Sequence, residues 1–247
     1  MSTEQFKKEV GMMKLENLIQ SRESISNKTF PINDSELLNR FEQLYTGAIN
    51  DVLREFCLLN QALPNYIQPL REYRTVPGFA FTVKSAPNVM IHGEMEYRTQ
   101  MLDEMGENAF VVWDTSHDEK ATLWGGVMTA TAKGKKVKAA CIDGGIRDTH
   151  QILEADFPVF YKYRLSNGSL GRCMITHYQT PVLIGEVTVK PGDIVVGDID
   201  GVLIVPRDIA YDVLLRAEEI RENEETIFCW VRDGQTIHEI KGKGGYF

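Results

Sequence analysis

The chain has 247 residues, 43% hydrophobic and 25% charged, with 27 Lys and Arg against 35 Asp and Glu, a formal net charge of −8. Such a composition can bury a core without staples, and its acidity argues against nucleic-acid binding, which relies on Lys and Arg to neutralise phosphates. No apolar run nears the ~20 residues of a membrane span, the opening MSTEQFKKEVGMMKLENL lacks a signal-peptide core, and Cys57, Cys141, Cys173 and Cys229 form no CxxC, as expected of reduced thiols in a cytoplasmic protein.

In chain order, residues 1–40 read as a helical N-terminal extension. Pro31–Ser35 is a turn, and the Ser35 hydroxyl is placed to cap a helix beginning SELLNRFEQL. GAINDVLREF predicts a second helix with Ile49, Leu53 and Phe56 on one face. Ala62–Pro77 holds three prolines and reads as a connection. Alternation follows. Phe79–Val83 is a strand, Met90–Met105 a helix, Ala109–Trp113 a buried strand, Ala121–Lys133 a helix, Lys138–Ile142 a strand, Arg147–Ala155 a helix and Pro158–Tyr161 a strand. Helical pieces between short apolar runs predict βαβ units and an α/β fold with a partly parallel sheet.

The last third differs. Pro181–Val189, Asp193–Gly197 and Val202–Val205 are short strands separated by Pro-Gly and Asp-Gly turns. Asp208–Phe228 reads as one long helix followed by a polar tail. The expected organisation is a single α/β catalytic core over 41–206, with a C-terminal helical arm and tail over 207–247.

The stretch Ala121–His150 carries the most chemistry. Gly125-Gly126 and Gly144-Gly145 each precede a predicted helix, and a glycine turn at a helix start exposes N–H groups suited to an anion. Twenty residues separate Gly126 from Arg147. A right-handed crossover between them returns both to the sheet edge where α/β proteins bind ligands. Arg147 can hold a carboxylate by two parallel hydrogen bonds. Asp148 can anchor Mg²⁺, which needs few protein carboxylates. The plainer reading makes Asp148 a cap for the next helix and pairs Arg147 with Asp143 or a surface acid.

This stretch resembles the family of 4-hydroxy-4-methyl-2-oxoglutarate aldolases and regulators of RNase activity, some of whose members are labelled dimethylmenaquinone methyltransferase. The family pattern has Gly or Asp, twenty residues, Arg-Asp, two residues, then an acid. Gly126, Arg147 and Asp148 match it, and Gln151 replaces the acid. Thr46–Leu53, Gly78–Val83 and Val189–Pro206 also resemble family segments, so the likeness spans roughly residues 45–225. It implies a layered αββα sandwich of swivelling-domain type. It implies a divalent-metal-dependent lyase (Mg²⁺ or Mn²⁺) that cleaves a pyruvyl-containing 2-oxo acid by retro-aldol reaction, or decarboxylates oxaloacetate, through a pyruvate enolate. Asp148 would be the metal ligand, Arg147 would contact substrate, and Gly125, Gly126, Val127 and Met128 would offer N–H groups to the pyruvyl carboxylate. The family also implies a homo-oligomer, a trimer or hexamer. The alternative is a non-catalytic protein-binding regulator of the RNase-inhibitor type.

Gln151 in place of the acid leaves a role open, for which His150 or a neighbouring subunit's acid is a candidate. Asn88, His92, Glu94, Arg164 and Arg172 are candidate pocket residues; each also reads as an ordinary helix-start or loop residue. His117 and His177 fit solvated positions better. Ser116 and Ser169 lie outside any GxSxG elbow. No GxGxG follows Phe79–Val83, which removes the methyltransferase reading, and no histidine sits on a glycine turn as a phosphocarrier would need, His92-Gly93 coming nearest. Gly242–Gly245 has no following helix and reads as tail.

Overall fold

The computed structural model describes residue 4 and residues 15–23, 25–90 and 92–245. Most of residues 1–14 of the predicted extension lie outside the described residues. Among the described residues, α1 (Glu16–Glu23), α2 (Asp34–Phe41) and α3 (Thr46–Glu55) precede the sheet. Asn33, not Ser35, caps α2, its side chain accepting the Glu36 N–H. Ile49 and Leu53 are buried as their spacing predicts. Phe56 is not, because α3 ends at Glu55 and Phe56 turns outward as its C-cap.

The strands are β1 (Gln68–Pro69), β2 (Val76–Pro87), β3 (Ala109–Asp114), β4 (Thr122–Trp124), β5 (Ala139–Ile146), β6 (Val159–Arg164), β7 (Cys173–Tyr178), β8 (Val182–Ile184), β9 (Val187–Val189), β10 (Ile194–Asp198) and β11 (Gly201–Val205). One sheet runs in the order β1-β6-β5-β3-β2-β10-β11, with β4 on β5 and β7 on β2. Its centre, β2, β3, β5 and β6, is parallel. Its flanks are antiparallel. Every residue of β3 is buried, as a strand covered on both faces requires.

The sheet curls nearly into a barrel, and Leu63 donates its N–H to Val202 at the seam. The inner face packs Phe110, Val112, Cys141, Phe160, Val195 and Ile204 against the hairpin β8–β9. On the outer face α4 (Glu94–Glu104), α5 (Gly126–Gly134) and α6 (Thr149–Glu154) cover the parallel strands through Met101, Met128 and Ile152. There α2, α3 and the long α7 (Ala210–Arg232) cover β10 and β11. Helix, sheet, sheet, helix is the layered αββα arrangement.

Three local expectations change. Ala121–Lys133 is not one helix: Thr122–Trp124 pairs with β5, and α5 begins only after Gly125, whose backbone is extended (φ −163°, ψ −166°). Gly144-Gly145 lies inside β5 rather than in a turn, Gly145 pairing with Tyr163 of β6, and glycine is needed there since a Cβ would stand 2.8 Å from the Ala121 carbonyl oxygen. The tail holds α8 (Ile237–Gly242), started by a Thr236/Glu239 capping box and anchored by buried Ile240. Among the described residues no helix is long and apolar enough to cross a membrane.

Candidate active site

Strand β5 ends at Ile146, and the Arg147 N–H donates to the Trp124 carbonyl at 3.0 Å. That bond brings Arg147 and Asp148 beside the start of α5. Asp148 has a left-handed backbone (φ 54°, ψ 36°), a conformation Asp tolerates better than most residues. It stands where an N-cap of α6 would, yet its side chain does not cap that helix. Instead its Oδ2 accepts the Gly126 N–H at 3.1 Å, at the first turn of α5. The capping expectation for α6 is therefore not met; the carboxylate faces a different helix, whose positive end favours it.

Arg147 Nε lies 3.6 Å from Asp148 Oδ2. Arg147 does not pair with Asp143. Along β5, Ala139 and Cys141 face the inner cluster while Ala140 and Ile142 face the outer one. By the same alternation Asp143 points inward. Glycine is needed beside this pair: a Cβ at Gly125 would stand 2.7 Å from Asp148 Oδ2, and one at Gly168 would stand 2.7 Å from Arg147 Nη1.

These groups line a cleft of about 520 Å³ between α4, the start of α5 and the 168–172 loop. Gly125, Val127, Met128, Arg147 and Asp148 are on its wall. Gly126 is not, and its N–H is given to Asp148, which leaves the first-turn N–H groups of Val127 and Met128 for a ligand. Val127 is 78% exposed and Met128 is sunk into the outer core. Gln151 lies against α5: a Cβ on Gly126 would overlap its amide oxygen and stand 2.8 Å from its Cδ.

Of the two flanking arginines, Arg172 lines the cleft, its Nη1 donating to the Gly168 carbonyl at 3.0 Å. Arg164 stands over the Tyr161 ring at 5.2 Å, away from the cleft. His92, His117, His150 and His177 are exposed, and none lines the cleft. Glu94 Oε2 accepts Asn88 Nδ2 at 2.9 Å and the Gly171 N–H at 3.1 Å, so these candidates brace the loop rather than face a ligand.

One wall residue escaped the sequence reading. Arg98, on α4, donates from Nη2 to Ser169 Oγ at 2.6 Å, and its buried Nε has no hydrogen-bond partner. Burial pulls its guanidinium pKa down and the nearby Arg147 charge adds to that pull, while Cys173 and Glu94 oppose it. Its only sequence signal, a Glu four residues earlier, reads as a routine helical ion pair.

Asp148 is the one carboxylate among the described residues on this wall. No group of three or more His, Cys, Asp or Glu able to hold a metal occurs among the described residues. That donor set does not suit a zinc-type cage. It does fit Mg²⁺ or Mn²⁺ carried on one carboxylate with water and substrate filling the rest. Both contacts of Asp148 use Oδ2, leaving Oδ1 for such an ion.

A family model described as RraA-like, Aldolase/RraA, matches residues 46–204. A solved structure described as novel cellulases from microbes associated with the gut ecosystem is 79% identical, covers 89% of this chain and 99% of its own, and superposes with a TM-score of 0.86. Protein DlpA of Legionella pneumophila is 27% identical over 92% of this chain, but the chain spans only 35% of DlpA. A putative 4-hydroxy-4-methyl-2-oxoglutarate aldolase of Halalkalibacterium halodurans is 27% identical over 77% of this chain and 86% of its own length.

Proposed function

The chain belongs to the RraA-like family, and from that premise we propose that its cleft houses a divalent-metal-dependent carbon–carbon lyase for a pyruvyl-containing 2-oxo acid. The observation that carries this reading is Asp148 turned onto the start of α5, next to Arg147, on the wall of a cleft. A bound Mg²⁺ or Mn²⁺ on Asp148 would supply a Lewis acid to the substrate's oxo and carboxylate oxygens. The Val127 and Met128 N–H groups orient the pyruvyl carboxylate. Arg147 meets the negative charge that develops on the pyruvyl oxygen as the adjacent bond breaks, and fixed donors of this kind lower the barrier most where water is excluded. Met95, Leu102 and Leu170 provide the apolar part of the wall.

We place the protein in the cytoplasm and infer a homo-oligomer, a trimer or hexamer. Val127 and Leu170, 78% and 63% exposed, form an apolar rim at the cleft mouth that a second subunit would cover. The same rim is what a protein-binding regulator would use, but such a protein has no need of an arginine-flanked carboxylate on the wall of a cleft.

The relative described as a cellulase raises glycoside hydrolysis as a competitor. That reaction needs two carboxylates flanking the bond. This wall has one carboxylate and three arginines, a balance suited to an anionic substrate.

The test is pyruvate release from oxaloacetate and from 4-hydroxy-4-methyl-2-oxoglutarate with Mg²⁺ or Mn²⁺, with EDTA, and with Asp148→Asn. Metal-dependent release that the variant loses supports the lyase. No release, alongside sugar release from cellulose, would replace it with the hydrolase.

A further inference from the structure

We propose that Arg98 receives a second, distal carboxylate of the substrate, so that the cleft selects 2-oxo dicarboxylates whose distal carboxylate survives the reaction. This rests on the lyase reading above. Arg147 is committed to the reacting end, beside Asp148 and the start of α5. Arg98 comes from α4, a different element of the wall.

Its geometry is incomplete without a ligand. Ser169 takes Nη2, and the Nε–H is buried with no acceptor. A buried donor left unmet on a charged group is costly. The obvious internal partner is Glu94, one turn earlier on the helix. Glu94 instead bonds Asn88 and Gly171 through Oε2, its Oε1 is buried and unpartnered, and no ion pair within 4.0 Å joins it to Arg98 among the described residues. A carboxylate entering the cleft can pair with the Nη end of the Arg98 guanidinium, as guanidinium groups bind carboxylates.

The assignment separates the two reactions of such a site. In the retro-aldol cleavage of a 4-hydroxy-2-oxo dicarboxylate, the C3–C4 bond breaks and its electron pair goes to C3. The hydroxyl proton passes to water, C4 becomes a carbonyl, and C3 takes a proton to give pyruvate. The distal carboxylate keeps its charge throughout, so Arg98 holds it equally before and during cleavage, which lowers KM. In oxaloacetate decarboxylation the distal carboxylate leaves as carbon dioxide and loses its charge. Arg98 then stabilises the ground state more than the transition state and opposes the reaction.

Calorimetric titration with two unreactive probes of equal chain length, 2-oxoglutarate and 2-oxopentanoate, tests this in the presence of Mg²⁺. Wild-type protein should bind 2-oxoglutarate at least about tenfold more tightly, the range of a hydrogen bond to a charged group. Arg98→Met should bring the ratio to about one while changing 2-oxopentanoate affinity less than about threefold. Arg98→Lys, the safer variant for folding, keeps the charge without the fork and should lower the ratio several-fold. A wild-type ratio near one, or a ratio unchanged in the folded variants, overturns the assignment. An Arg98-dependent ratio with no pyruvate released from any substrate keeps the carboxylate assignment and overturns the lyase. With a working lyase, Arg98→Met should raise KM for aldol cleavage and raise kcat for oxaloacetate decarboxylation.

Discussion

The Asp148 carboxylate accepts the N–H of Gly126 at 3.1 Å although a helix and a strand separate them in the chain. One residue thereby tethers the end of β5 to the start of α5 and presents a negative charge to the cleft. Its two roles predict different variants. Asp148→Asn keeps an acceptor and tolerates the left-handed backbone, so its stability should stay within about 0.5 kcal/mol of wild type. Asp148→Ala loses the cap and strains the backbone, and should cost about 1–3 kcal/mol. Urea unfolding reads the difference, and both variants should lose metal-dependent pyruvate release.

Gly126 and Gln151 form a second linked pair. A Cβ on Gly126 meets the movable end of an exposed side chain, with Gln151 Cβ at 3.3 Å behind it. Gly126→Ala should therefore cost no more than about 1 kcal/mol. In a Gln151→Ala background the same change should stabilise by about 0.5–1 kcal/mol, because Ala is a better helix former than Gly. A double-mutant cycle on melting midpoints checks the sign reversal.

Asp143 predicts a pH effect. Burial holds its carboxyl above the ordinary range, ahead of the opposing pulls of Lys162 and of the Tyr66 hydroxyl. The folded protein thus binds this proton more tightly than the unfolded chain. Below the unfolded value, about 3.9, both states are protonated and the contribution is flat. As pH rises from there through the raised folded value, stability falls. Asp143→Asn should gain on wild type as pH increases, with a flatter profile above about pH 4. Asp193, also raised by burial, keeps some slope of the same sign in both proteins.

The barrel interior predicts a large effect away from the cleft. Phe160 is fully buried, stacks on Phe110 at 5.9 Å, and fills the space a Cβ on Gly197 would need, 2.5 Å from its Cζ. Phe160→Ala should cost about 3–5 kcal/mol. Gly197→Ala should cost about 1–3 kcal/mol through overpacking. Guanidinium unfolding at fixed pH measures both.

By itself the sequence determined the α/β class, the parallel centre and the segment carrying Arg147 and Asp148. Those signals are local: apolar runs such as AFVVW, helical spacing at Ile49 and Leu53, glycine before Arg-Asp. Tertiary structure alone decided which partner each polar group takes. Asp148 could have capped α6, and only the packing of β4 beside β5 brings it to α5 instead. Thr122–Trp124 lacks a strand-length apolar run and becomes a strand because β5 offers it an edge. Arg98 resembled any helical arginine until α4 folded over the 168–172 loop and buried its Nε away from Glu94. A hydrogen bond between distant segments leaves no period or motif in either one, so its partners become visible only once the chain has closed around them.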